Sequence, residues 1–137
     1  MEVTKTDMTT LPKIVAVDFD GTLVEDKYPL IGKPNKTMFD ICKALKKFGV
    51  HLILWTCRDG TQLLDAVAFC EQNGLYFDAV NSNIPETIHM FNNDTRKVYA
   101  DLYIDDKSIP HIQDPLFWCH RLEIEPFQFV RSAFDLG

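Results

Sequence analysis

The chain has 137 residues, of which 46% are hydrophobic and 25% charged, and a net charge of -6. That length fits one domain with a sizeable core, and the acidic balance weighs against a protein whose main task is gripping nucleic-acid phosphates. No apolar run approaches bilayer length and MEVTKTDMTTLPK, residues 1–13, lacks the apolar stretch of a signal peptide, so a cytoplasmic protein with no membrane partner is expected.

Residues 1–12 are polar and read as loose. KIVAVD (13–18) is a continuous, β-branched run, the pattern of a strand buried on both faces. The Pro and Gly of residues 23–34 mark a loop or small flap. Asn35 suits the cap of a helix over 36–48, in which Met38, Ile41, Cys42, Leu45 and Phe48 share one face. Lys46 and Lys47 suit its negative end, and Gly49 its C-terminal cap. VHLILWT (50–56) reads as a second buried strand. Asp59 or Thr61 starts a helix over 61–73, closed by Asn73 and Gly74. FDAVN (77–81) reads as a third strand, PETIHMF (85–91) as helical and ADLYID (100–105) as a fourth strand.

This β-α-β-α-β-α-β order predicts a three-layer α/β domain, a Rossmann-like parallel sheet with helices on both faces. Residues 107–137 form a C-terminal extension of less definite pattern. DPLFWCHRL suits a helix and EPFQFV an edge strand or an extended tail. Five of the 16 aromatics fall between Phe117 and Phe134, where they would cover the sheet edge or form a subunit interface. Cys42, Cys57, Cys70 and Cys119 show no CxxC spacing and read as reduced thiols, three of them in periodic apolar segments. His51, His89, His111 and His120 lack metal-ligand spacing.

Ligands of open α/β sheets bind at the carboxyl ends of the strands. The first strand ends at Asp18, with Asp20 two residues on, and the second ends at Thr56, followed by Arg58. The fourth ends at Asp105 and Asp106, with Lys97 ahead of it. Residues two apart in extended backbone point the same way, so Asp18 and Asp20 can face one cleft while Phe19 packs away from it. Gly21 permits close backbone approach to a ligand. Such a cluster of carboxylates calls for a cation, and hard oxygen donors select Mg²⁺. Lys97 and the Thr56 hydroxyl add donors for an anion, a set that suits phosphoryl transfer. An EF-hand is excluded, since a loop with Gly21 at its sixth position would begin at Ala16 and end at Lys27.

DFDGTL resembles the first motif, DxDGT, of the haloacid dehalogenase superfamily. LILWT is similar to its second motif, Lys97 lies where its third-motif lysine falls, and LYIDD resembles its acidic fourth motif. The resemblance covers residues 13–107. VEDKYPLIGKP, ILWTCRDG and ADLYIDDKS further resemble small capless phosphatase-like members of bacteria and phages.

The resemblance implies a Mg²⁺-dependent phosphatase acting on a phosphomonoester. Asp18 would attack phosphorus and form an aspartyl-phosphate, and Asp20 would move the protons. Asp18, the Asp20 carbonyl, and Asp105 or Asp106 would hold Mg²⁺, with Asp105 favoured as the direct ligand. Thr56 and Lys97 would bind the phosphoryl oxygens, with Lys107 a rival for the lysine role and Arg96 adjacent to Lys97. Dehalogenating members lack the second acid, which is present here as Asp20. Arg58 suits either substrate contact or a surface salt bridge, and Asn81 and Asn83 are weaker candidates for substrate contact.

The expected substrate is a phosphorylated small molecule, a nucleotide or sugar phosphate before a nucleic-acid end. Two other readings are a receiver-like signalling domain and a regulatory or binding module with little turnover. A receiver needs a phosphoacceptor Asp ending the third strand, where Asn81 stands. The 33 residues between Thr22 and Thr56 and the 40 between Thr56 and Lys97 leave no room for a cap domain. The site should be open, screened by the flap near Glu25–Pro34, and a homo-oligomer built on the aromatic tail is expected.

Overall fold

The computed structural model describes residues 12–106. Strand β1 spans Ile14–Val17, helix α1 Lys36–Lys47, β2 His51–Leu54, α2 Gly60–Gln72, β3 Ala79–Val80, α3 Pro85–Phe91 and β4 Leu102–Ile104. The four strands form one parallel sheet in the order β3-β2-β1-β4. The predicted order of elements is therefore present, with every strand shorter than the apolar run that announced it. The reduction is proportionally greatest for β3, where Asn81 adopts a left-handed backbone (φ 52°) directly after Val80. The expectations for residues 1–11 and 107–137, including the helical DPLFWCHRL, the EPFQFV strand and the aromatic interface, lie outside the described residues.

Alternation along the strands divides the core in two. Val15, Val17, Leu52 and Leu54 join Met38, Ile41, Cys42 and Leu45 of α1 and Ala66 and Cys70 of α2 on one face. Ile14, Ala16 and Ile53 join Ile84, Val98 and Ala100 on the other. Helices thus stand on both faces, and β1 is buried throughout, as a parallel strand between two layers must be. Burial pushes the Cys42 thiol up, and the Cys70 thiol up to about 12, so both stay protonated packing groups. Cys42, Cys57 and Cys70 are free thiols.

Asn35 caps α1 by accepting from Met38 N at 3.3 Å. Phe48, expected on the apolar face, is the C-cap of α1 and is exposed, because the chain leaves the helix there for Gly49 (φ +88°). Asp59 stands at the N-cap of α2 but makes no side-chain cap bond. Asp101 ties the start of β1 to β4, its Oδ2 accepting from Lys13 N at 2.8 Å and Ile14 N at 2.9 Å. Residues 18–35, between β1 and α1, form turns and a loop with isolated bridges at Asp20–Val24 and Val24–Pro34. Among the described residues no helix is long and apolar enough to cross a membrane.

Candidate active site

Because β1 lies between β2 and β4, the carboxyl ends of these three strands are adjacent. The first residues beyond them meet in one cavity of about 330 Å³, lined by Asp18, Thr56, Asp105 and Asp106 together with Ala16, Trp55, Cys57, Tyr103 and Ile104. Asp18 N donates to Ile104 O at 2.9 Å, which extends the ladder one residue past β1 and fixes where the Asp18 side chain starts.

Burial pushes the Asp18 carboxyl up to about 6, and a backbone hydrogen bond from Phe19 opposes the shift. The negative charges of Asp106, Asp105 and Asp20 push it further in the same direction. These carboxylates are therefore close enough to repel one another. The turn after Asp18 is tight: Leu23 N donates to Phe19 O at 2.9 Å and Gly21 N to Val24 O at 2.8 Å. Gly21 has φ +85°, and a Cβ there would stand 2.8 Å from Asp106 Oδ2. Glycine thus lets the fourth-strand carboxylate lie against the first-strand loop.

Thr56 is held from two sides. Its N–H donates to Asn81 Oδ1 at 2.8 Å, and its hydroxyl accepts from Arg58 N at 3.1 Å. A hydroxyl that accepts from the backbone keeps its own proton to donate into the cavity. Asn81, a candidate for substrate contact, instead positions the β2 loop. Asn83 is likewise a structural tie rather than a substrate contact. It is buried, donates from Nδ2 to Asp94 Oδ1 at 2.8 Å and accepts from Tyr99 N at 2.6 Å.

Arg58 differs from both roles considered for it. Only 1% of its surface is exposed. Its Nε and Nη2 donate to the two oxygens of Asp20, each at 2.8 Å. Nη2 also donates to Leu30 O at 2.8 Å and Nη1 to Pro29 O at 3.3 Å. The guanidinium lies 5.0 Å from the Phe19 ring centre and 5.1 Å from that of Tyr28. It is therefore neither a substrate contact nor a surface salt bridge. The hydrogen bond and charge of Asp20 hold its proton more tightly than usual. One planar fork fixes Asp20 and fastens the flap over it, a geometry that suits arginine and not lysine. Asp20 is not among the residues lining the cavity.

Lys97 is also placed differently from the expectation. It is exposed, outside the cavity, with Nζ 5.4 Å from the centre of the Tyr103 ring. Lys97 O accepts from Thr95 Oγ1 at 2.8 Å, and Thr95 and Tyr99 are both tied to Asn83 beyond β3, which sets Lys97 beside Tyr103 and not among the residues that line the cavity.

Among the described residues no group of three or more His, Cys, Asp and Glu side chains is arranged to hold a metal ion. A divalent cation here would therefore rest on two carboxylates, Asp18 and Asp105 or Asp106, completed by a main-chain oxygen such as that of Asp20. The repelling, oxygen-only donors and the Gly21 cradle fit a hard cation such as Mg²⁺. Trp55, Tyr103 and Ala16 are cavity residues that the motif argument did not find. The period-2 rule could have found them, since all three belong to the second face of the sheet near its carboxyl edge.

No family model matches the chain, and no curated protein matches it. A solved structure of a conserved protein from Bacteroides thetaiotaomicron is similar, with 35% identity over 85% of this chain and 95% of that one and a TM-score of 0.69.

Proposed function

We propose that this chain, which belongs to the same family as that conserved Bacteroides thetaiotaomicron protein, hydrolyses phosphomonoesters with Mg²⁺ through an aspartyl-phosphate on Asp18. One observation carries the reading: the three strand-end segments that resemble haloacid dehalogenase motifs put Asp18, Thr56, Asp105 and Asp106 into a single cavity.

An Asp18 oxygen attacks phosphorus, the bond from phosphorus to the leaving oxygen breaks, and that oxygen takes a proton. Water then attacks the same phosphorus, the bond to Asp18 breaks, and inorganic phosphate leaves. Asp20 carries the proton in both steps, and Arg58 orients it by holding both of its oxygens. The Thr56 hydroxyl donates to a phosphoryl oxygen, with its loop fixed by Asn81. Bound Mg²⁺, held by Asp18 and Asp105 or Asp106, would neutralise phosphoryl charge and the mutual repulsion of the acids. Lys97, outside the cavity, is given no step.

The engagement of both Asp20 oxygens by Arg58 favours a second reading, a phosphate-ester binding module with little turnover. A receiver-like domain fits poorly, because here β1 lies between β2 and β4, whereas flavodoxin-like sheets set it between their second and third strands. Hydrolysis of p-nitrophenyl phosphate with Mg²⁺ and with EDTA separates the readings. Turnover that Mg²⁺ restores after chelation supports the hydrolase. Tight binding without turnover supports the module.

A further inference from the structure

We propose that residues 107–137 turn back over the second face of the sheet and seat apolar side chains in a groove beside α3, so that the chain covers this surface itself. The proposal rests on the fold and is independent of the phosphohydrolase reading. A parallel sheet needs cover on both faces. Among the described residues the first face carries α1 and α2, of 12 and 13 residues. The second carries α3, of seven residues, of which only Thr87 is buried. Met90 and Phe91, at the end of α3, are 74% and 58% exposed, and Tyr99 is 52% exposed.

Two cavities flank these side chains. One of about 410 Å³ has Ile14, Ile84, Met90, Phe91 and Tyr99 in its lining. One of about 470 Å³ has Phe91, Val98, Tyr99, Ala100 and Tyr103. Thr87, Phe91 and Tyr99 line both, so the two adjoin as one groove. Ile14, Ile84, Val98 and Ala100 belong to the second core cluster, so the floor of the groove is the core itself. Filling it would remove apolar surface from water on both partners.

The course of the chain identifies the occupant. Strand β4 stands at one end of the strand order, and Lys107 follows Asp106, two residues past β4. Tyr103 of β4 already lines the groove, so the chain leaves the sheet beside it. The far end of the groove is at Lys13 and His51, where β1 and β2 begin. That is about 13 Å back along the strands. The 31 residues after Asp106 would span about 45 Å even wound as tightly as a helix. They include Phe117, Trp118, Phe127, Phe129 and Phe134, side chains large enough to fill such a groove. The likeness to the Bacteroides thetaiotaomicron protein supports an occupant from the same chain. It covers 85% of this chain, about 116 of 137 residues, whereas residues 12–106 are 95 in all. Eleven residues precede Pro12, so about ten or more of the matched residues follow Asp106.

Photo-crosslinking in the full chain tests this. One variant carries p-benzoylphenylalanine in place of Phe91, which lines both cavities, and a second carries it in place of Tyr99. Each is irradiated as an equal mixture of ¹⁴N and ¹⁵N protein, and the crosslinked peptides are read by mass spectrometry. The expected result is crosslinks from both positions to peptides within 107–137, with the same isotope in both halves. Crosslinks that mix the isotopes put a second copy in the groove and overturn the proposal. Folded variants with no crosslink to 107–137 leave the groove to an outside partner and overturn it as well. If neither photo-variant folds, chymotryptic cleavage of wild type and Phe91→Asp decides. An exposed, uncovered Phe91 would tolerate Asp with little effect. With the segment docked, Phe91→Asp should speed cleavage within 107–137 about tenfold or more and leave cleavage within 12–106 within about twofold. An unchanged rate within 107–137 overturns the proposal.

Discussion

Replacing Asp18, the proposed nucleophile, should make the metal-free protein more stable at neutral pH. Asp18 is pushed from the ordinary 3.8 up to about 6 by burial and by its acidic neighbours. Between these values the folded state binds more protons than the unfolded state. Folding stability therefore falls as pH rises from about 4 to about 6 and stays reduced above that. The full shift corresponds to about 3 kcal/mol. Asp18 is only partly buried, so solvent screening reduces the usable figure to about 1–2 kcal/mol. Asn keeps the shape and can still accept the Phe19 N–H, but carries no charge. Urea unfolding of wild type and Asp18→Asn in EDTA should show that gain at pH 7.5 and none near pH 3.5. An equal gain at both values, or no gain at pH 7.5, would refute the crowding of charge around Asp18.

Arg58→Met should cost about 3–5 kcal/mol, because it strands the Asp20 carboxylate and unfastens the Pro29 and Leu30 carbonyls. Adding Asp20→Asn should restore part of that loss, and strictly additive urea midpoints would deny the pairing. Gly21→Ala should lower stability by about 1–2 kcal/mol through its positive φ, and should weaken Mg²⁺ binding by pressing on Asp106. Unchanged melting and unchanged Mg²⁺ titration would count against the Gly21 cradle. Mg²⁺ should raise the melting temperature of wild type at pH 7.5 and lose that effect below about pH 6, as Asp18 takes up its proton. A shift of the same size at pH 5 would remove Asp18 from the metal site.

The positions of Asp18, Thr56, Asp105 and Asp106 were legible because a parallel sheet brings strand ends together whatever the side chains do. A hydrophobic run followed by a polar residue marks such an end directly. Pairings between side chains were not legible in the same way. Arg58 and Asp20 are 38 positions apart, and only the packed flap decides that the guanidinium turns inward. Lys97 was placed by its order in the chain, which says nothing of whether its ammonium enters the cavity or lies, as it does, over the Tyr103 ring. Asn81 and Asn83 resembled ligand donors because they follow a strand, yet both are consumed by the backbone of neighbouring loops.

Covalent capture tests the central claim most directly. Wild-type protein with Mg²⁺ and excess p-nitrophenyl phosphate is quenched in acid during turnover, digested and read by mass spectrometry. The account predicts a phosphoryl group on Asp18, lost on treatment with hydroxylamine and absent from the Asp18→Asn protein. Turnover with no adduct on Asp18, or with an adduct on another residue, would contradict it.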